Sequence, residues 1–72
     1  MDIKQKIGKR IKELRALKGF SQEELAARAD IDRTYVNSVE NGKRNIAIIN
    51  IEKLASGLEV SLQDFFKDSK FK

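Results

Sequence analysis

The stretch "SQEELAARADIDRTYVNSVENGK", residues 21–43, contains two helix starts in quick succession. Ser21 and Glu24 form an S-x-x-E capping box, and Phe20 and Leu25 occupy the two positions of a hydrophobic staple. Leu25, Ala26 and Ala29 then face inward, and the helix stops near Asp30. The device repeats at once. Asp32 is an N-cap, Ile31 and Val36 are its staple pair, and Asn41-Gly42 closes the last turn. About three residues separate the two helices, and so short a connection forces the sharp corner of a helix-turn-helix.

The second of these helices buries little. Between residues 32 and 43 only Val36 and Val39 are plainly apolar. On a wheel of about 100° per residue, Tyr35, Val36 and Val39 share one arc, while Arg33, Thr34, Asn37 and Ser38 share the opposite arc. That outer arc has no acid and no large apolar group. It offers a guanidinium fork, an amide and two hydroxyls, the groups that read base edges in a groove. Glu40 sits at the edge of the arc, and the basic residues Lys43 and Arg44 follow directly, where phosphates would lie. The pattern predicts a helix spent on contact with a partner.

Outward from this stretch the chain is helical throughout. Ile3, Ile7, Ile11, Leu14 and Leu17 form one stripe of an amphipathic helix that ends at Gly19, with Gly8 tolerated inside it. Ile48, Ile51, Leu54, Ala55 and Leu58 predict a fourth helix over about 47–57. "VSLQDFF" at 60–66 predicts a fifth, capped by Ser61, and the last residues, "KDSKFK", are expected to fray. No strand alternation is convincing. The predicted fold class is all-α, a compact bundle of five short helices in a single domain over residues 1–72.

Composition narrows the function. The 72 residues include no Cys and no His, which excludes disulfides, thiol chemistry and zinc fingers. The longest apolar run, Ile46–Ile49, is far below the ~18 residues of a membrane span, and the charged N-terminus lacks a signal-peptide core. A cytoplasmic location, no metal, no cofactor and no enzymatic activity are the expectations. Net charge is +4, which suits a polyanion but equally suits solubility. The distribution says more. Residues 21–42 hold two Arg and five acids, and basic residues resume at Lys43-Arg44.

With these residues in view, residues 11–66 resemble the helix-turn-helix domain of Cro/C1-type (XRE-like) phage repressors and their bacterial relatives. Leu25, Ala26, Ala29, Ile31, Val36 and Val39 match the family's buried positions, and "VENGK" matches its ending. The resemblance implies a lambda-repressor-like DNA-binding fold, with the helix-turn-helix at about 21–41. A narrower resemblance is to the controller proteins of restriction–modification systems, carried by Arg33-Thr34-Tyr35 at the start of the recognition helix and Arg44-Asn45 after its end. The sequence departs from the family pattern at Asp30 and Glu59, both in turns where the family has Gly. Asp tolerates a left-handed backbone better than most residues, and Glu59 leaves open a different local turn.

The resemblance implies a role for each polar residue. Arg33 and Thr34 are the leading base readers, with Asn37 and Ser38 as secondary contacts; simple solvation is the other reading of Ser38. Tyr35 either touches a base at the groove edge or packs its ring inward and gives its hydroxyl to a phosphate. Gln22 stands where a helix N-terminus faces a phosphate, or is an ordinary first-turn polar residue. Lys43, Arg44 and Asn45 are backbone contacts, with Asn45 alternatively bracing the following loop. Arg15 pairs with Glu40 across the first and third helices.

Ile49 lies nearly opposite the stripe of the fourth helix, and Phe65 and Phe66 cannot both enter one core. Ile49 and Phe66 therefore mark a dimer patch within about 46–66. The expected function is a homodimeric regulator on a palindromic operator of double-stranded DNA, controlling a restriction–modification operon. If it activates, Glu23 and Glu24 are its contacts to RNA polymerase. The alternatives are another small phage-type repressor or an antitoxin-like protein-binding module.

Overall fold

Four of the five α-helices begin at a side-chain cap. The computed structural model describes residues 1–72 and contains α1 (Ile3–Lys18), α2 (Gln22–Ala29), α3 (Arg33–Glu40), α4 (Ile48–Gly57) and α5 (Leu62–Phe66), followed by one 3₁₀ turn, Ser69–Phe71. Asp2, Ser21, Asp32 and Ser61 accept hydrogen bonds from backbone N–H groups of the turns they open. Ala47, ahead of α4, has no side chain that can do so. At α2 only half of the expected capping box forms. Ser21 Oγ accepts from Glu24 N at 3.0 Å, but the Glu24 carboxylate turns to Arg28. The reciprocal box forms instead at α1, between Asp2 and Gln5.

Helix ends are equally regular. At Gly19, Asp30, Gly42 and Glu59 the backbone is left-handed. Around each, two N–H groups return to the carbonyls that the helix leaves free; Asp30 N to Ala27 O and Ile31 N to Ala26 O are one such pair. This is the Schellman geometry. Glu59, with φ 63°, makes the turn that a Gly would make, so its departure from the family pattern leaves the turn intact.

The core gathers Ile7, Ile11, Leu14, Leu25, Ala26, Ala29, Val36, Val39, Ile51, Leu54, Ala55, Leu58 and Phe65. α2 packs against α3 and α4, and α1 packs against α3. Burying each large side chain of this set contributes about 1.5–3 kcal/mol. Three expectations for the stripes need correction. Ile3, Leu17 and Ile48 are exposed. Ile3 and Ile48 open their helices, so they project beyond the layer they were expected to join. Leu17 lies off the stripe because each three-residue step falls back about 60° on a helix of 3.6 residues per turn.

Gly8 is required, not merely tolerated. A Cβ there would stand 2.3 Å from Val39 O and 2.7 Å from Glu40 O, so the α1 backbone rests directly on the end of α3. The C-terminal residues are also docked where fraying was expected. Arg10 donates to Phe65 O at 2.7 Å and Asp64 O at 2.8 Å, which caps α5 from α1. Lys70 bridges Glu13 and Asp68 at 2.7 and 2.9 Å, and the Phe71 ring meets Phe66 edge-on, with 5.1 Å between centroids.

Candidate nucleic-acid interface

The position of α3 follows from its inner arc. Val36 and Val39 are fully buried, Tyr35 is half-buried, and α1 closes on the C-terminal end through Gly8. Arg33, Thr34 and Asn37 are exposed on the outer arc, and Ser38 is half-buried. The four groups singled out in the sequence therefore lie together on one helix, three of them open to solvent. Arg33 is 65% exposed at its side chain and pairs with Glu23 at 3.7 Å. Both groups of that pair are so exposed that it adds little to stability.

One buried charge holds α3. The Glu40 side chain has no exposed surface and takes a two-point hydrogen bond from Arg15, Nε at 2.8 Å and Nη2 at 3.1 Å. Arg15 also donates Nη1 to Phe20 O at 2.9 Å, which ties the entry of α2 to the same group. The hydrogen bond and charge of Glu40 raise the Arg15 pKa above its ordinary value, against the opposing effect of burial. The ion pair expected from the resemblance is thus present in full.

Gln22 is the first residue of α2. Its side chain turns away from solvent, and Nε2 donates to Glu40 Oε1 at 3.0 Å and to Asn37 Oδ1 at 3.2 Å. What α2 presents at its N-terminus is backbone N–H, not the Gln22 amide. Tyr35 packs its ring inward, but its hydroxyl has a partner within the protein. Its ring packs on the core, its hydroxyl accepts from Asn50 Nδ2 at 3.1 Å, and the Arg44 guanidinium lies over the ring at 4.8 Å. That stacking holds the otherwise exposed Arg44 near the end of α3. Lys43 and Asn45 are exposed beside it, and Asn45 also borders a groove lined by Ile3, Ile7, Ile46, Ile51 and Phe66.

Several apolar side chains are exposed on α4 and α5. Ile48 and Ile49 are both exposed on the first turn of α4, at 68% and 63%. Leu62 and Phe66, four residues apart on α5, are also exposed. Ile49 and Phe66 are therefore surface residues as predicted, and Ile48 joins them. Sequence reasoning missed Gln22 as a link between helices, Asn50 as the partner of Tyr35, and Arg10 as a cap. Only the Asp2-x-x-Gln5 box had a readable signal; the other partners lie 15 or more residues apart along the chain.

No helix is long and apolar enough to cross a membrane. Comparison with known proteins agrees with the geometry. The helix-turn-helix family model matches residues 11–65. The chain is 48% identical to the control protein C.MunI of a Mycoplasma species over 68 residues, which cover 93% of this chain and 92% of that one. The fold superposes on the restriction–modification controller protein C.AhdI of Aeromonas hydrophila with a TM-score of 0.84 at 46% identity, covering 88% of this chain and 96% of that one. It also superposes on C.Esp1396I, solved as a tetramer in complex with its natural 35-base-pair operator, with a TM-score of 0.89 at 39% identity, covering 93% of this chain and 88% of that one. The chain therefore belongs to the helix-turn-helix family and, within it, to the controller proteins of restriction–modification systems.

Proposed function

We propose that this protein is a sequence-specific DNA-binding regulator that works as a homodimer on the operator of a restriction–modification operon. The observation that carries this is the outer arc of α3. A helix fixed at its far end by a buried ion pair leaves Arg33, Thr34 and Asn37 free on its open side. Such a helix fits a major groove, where Arg pairs with guanine and small polar groups choose among other base edges. The operator complex of the relative C.Esp1396I supports the same partner here.

In this assignment Arg33 and Thr34 read bases, with Asn37 and Ser38 beside them. Arg44, seated on Tyr35, and Lys43 take phosphates at one end of α3, with Asn45 following. The backbone N–H groups at the start of α2 take a phosphate at the other end. Tyr35 is a support for Arg44 at the groove edge. The helix-turn-helix spans about residues 21–41, and the dimer surface about 46–66, with Ile49 and Phe66 in it. A two-fold dimer places its half-sites about 34 Å apart, one turn of the duplex. The protein acts in the cytoplasm and performs no catalysis.

Selection of bound sites from a random DNA pool tests this. The expected product is a two-fold symmetric site whose affinity falls steeply with salt. A protein-binding module would yield no enriched site and no such slope.

A further inference from the structure

We infer that Asn37 meets DNA as a hydrogen-bond donor only, and that Gln22 is the positioning residue that sets this polarity. The inference rests on the DNA-binding function proposed above and adds which chemical edge one side chain can read. Glu40, paired with the Arg15 guanidinium at 2.8 Å, accepts hydrogen bonds and donates none. Any amide that approaches Glu40 must turn its NH₂ toward it, and Gln22 Nε2 does so at 3.0 Å. The second hydrogen of that NH₂ points to Asn37, so Asn37 must answer with oxygen, and Oδ1 lies 3.2 Å away. Asn41 Nδ2 reaches the same oxygen from one turn further along α3 at 3.4 Å. The two lone pairs of Asn37 Oδ1 are then both engaged on the protein side.

What remains outward is Asn37 Nδ2 with its two hydrogens. Flipping the amide would set NH₂ against NH₂ and lose the bond to Gln22, so the flipped form is disfavoured roughly tenfold. Asparagine ordinarily pairs with adenine by donating to N7 and accepting from N6. Here the accepting half of that pair is already committed. Asn37 is left to donate to an acceptor: guanine O6 or N7, thymine O4, or a phosphate oxygen. The buried carboxylate at the end of α3 thus fixes the polarity of a side chain on the reading face, through one glutamine of α2.

Bound-site selection with the wild type, Asn37→Ala, Asn37→Asp and Gln22→Met tests this. If the acceptor is a base, the wild type shows guanine or thymine at one half-site position. Asn37→Ala loses that preference, and Gln22→Met admits adenine there by about tenfold, because the freed amide can turn. If the acceptor is a phosphate, Asn37→Ala weakens all sequences alike and Gln22→Met leaves base preferences unchanged. In both cases Asn37→Asp, which turns a carboxylate oxygen outward, binds at least about tenfold worse than Asn37→Ala. Adenine at the Asn37-dependent position of the wild type overturns the inference, as does an Asn37→Asp variant that binds like wild type. In the free protein, the Asn37 side-chain amide resonances should shift in Gln22→Met. If they do not, the relay is absent, whatever happens with DNA. A wild type that binds no DNA while its amides shift as expected would instead overturn the function proposed above.

Discussion

Arg33 and Arg44 stand at opposite ends of α3 and should fail in different ways when removed. Arg33 is 65% exposed at its side chain and its one ion pair, with the exposed Glu23, is weak, so its guanidinium is free to read a base. Arg33→Ala should cost about 1–3 kcal/mol of binding and relax the preference at one position. Arg44 lies on the Tyr35 ring and is aimed beside the helix end. Arg44→Ala should weaken all sequences alike and lower the salt slope by roughly one unit. Binding titrations over several salt concentrations and several operators separate the two. Gly8 makes a different demand. With two carbonyl oxygens of α3 inside contact distance of any Cβ, Gly8→Ala must push α1 and α3 apart. Overpacking of this kind costs about 3 kcal/mol, and thermal unfolding should show it as a lowered midpoint. The outer arc of α3 was legible because helical spacing places side chains without knowledge of the rest of the molecule. Gly8 was not, because nothing in its local pattern says which backbone lies opposite.

At the scale of elements, helix starts and stops were the most legible feature, since a cap is a contact between near neighbours in sequence. Ser21, Asp32 and Ser61 cap as their positions predict. The ends at Asp30 and Glu59 keep their geometry with side chains that strain it. A left-handed non-glycine residue costs roughly 1 kcal/mol, so Glu59→Gly should stabilise the fold by up to about that amount, less the weak pairs Glu59 makes with Lys18 and Arg28. A melting curve no higher than wild type would show that those pairs offset the strain. The turn Ser69–Phe71 was missed because its anchors, Arg10 on the capping residue Asp68 and Glu13 on Lys70, lie on α1. Its ionic links make it pH-dependent. Hydrogen bonds from the Lys70 backbone and side chain hold the Asp68 carboxyl below its usual pKa. The bond to Glu13 holds Lys70 above its usual value. A depressed carboxylate stabilises at neutral pH and loses that contribution as pH falls through its lowered value; a raised lysine loses its contribution only as pH rises through its raised value. The turn should therefore stay docked across the neutral range and release on acidification, seen as a change in the ring-proton shifts of Phe71 by NMR.

For the whole molecule, Ile48, Ile49, Leu62 and Phe66 are exposed apolar side chains on α4 and α5. Ile49 is exposed, so Ile49→Lys leaves the core untouched. In a two-fold dimer it would bury an ammonium without a partner. Sedimentation across a concentration series should show a folded protein whose dimer dissociates at higher concentration than wild type, with operator binding reduced accordingly. Equal dimer affinities would place Ile49 outside the interface. The exposed apolar residues of α4 were only half legible, since the wheel gives the direction of Ile49 but cannot show that Ile48 projects beyond the core as well. The capping of α5 by Arg10 also bears on how the chain is made. Arg10 and its acceptor Phe65 O are 55 residues apart, and Phe65 itself fills the core between them. At ribosomal speeds of about 5–20 residues per second, roughly 3–10 s pass between their syntheses. Throughout that interval the nascent chain carries Ile7 and Ile11 without the phenylalanine that completes their core. Until Phe65 is made, the core that Ile7 and Ile11 enter lacks its largest fully buried side chain.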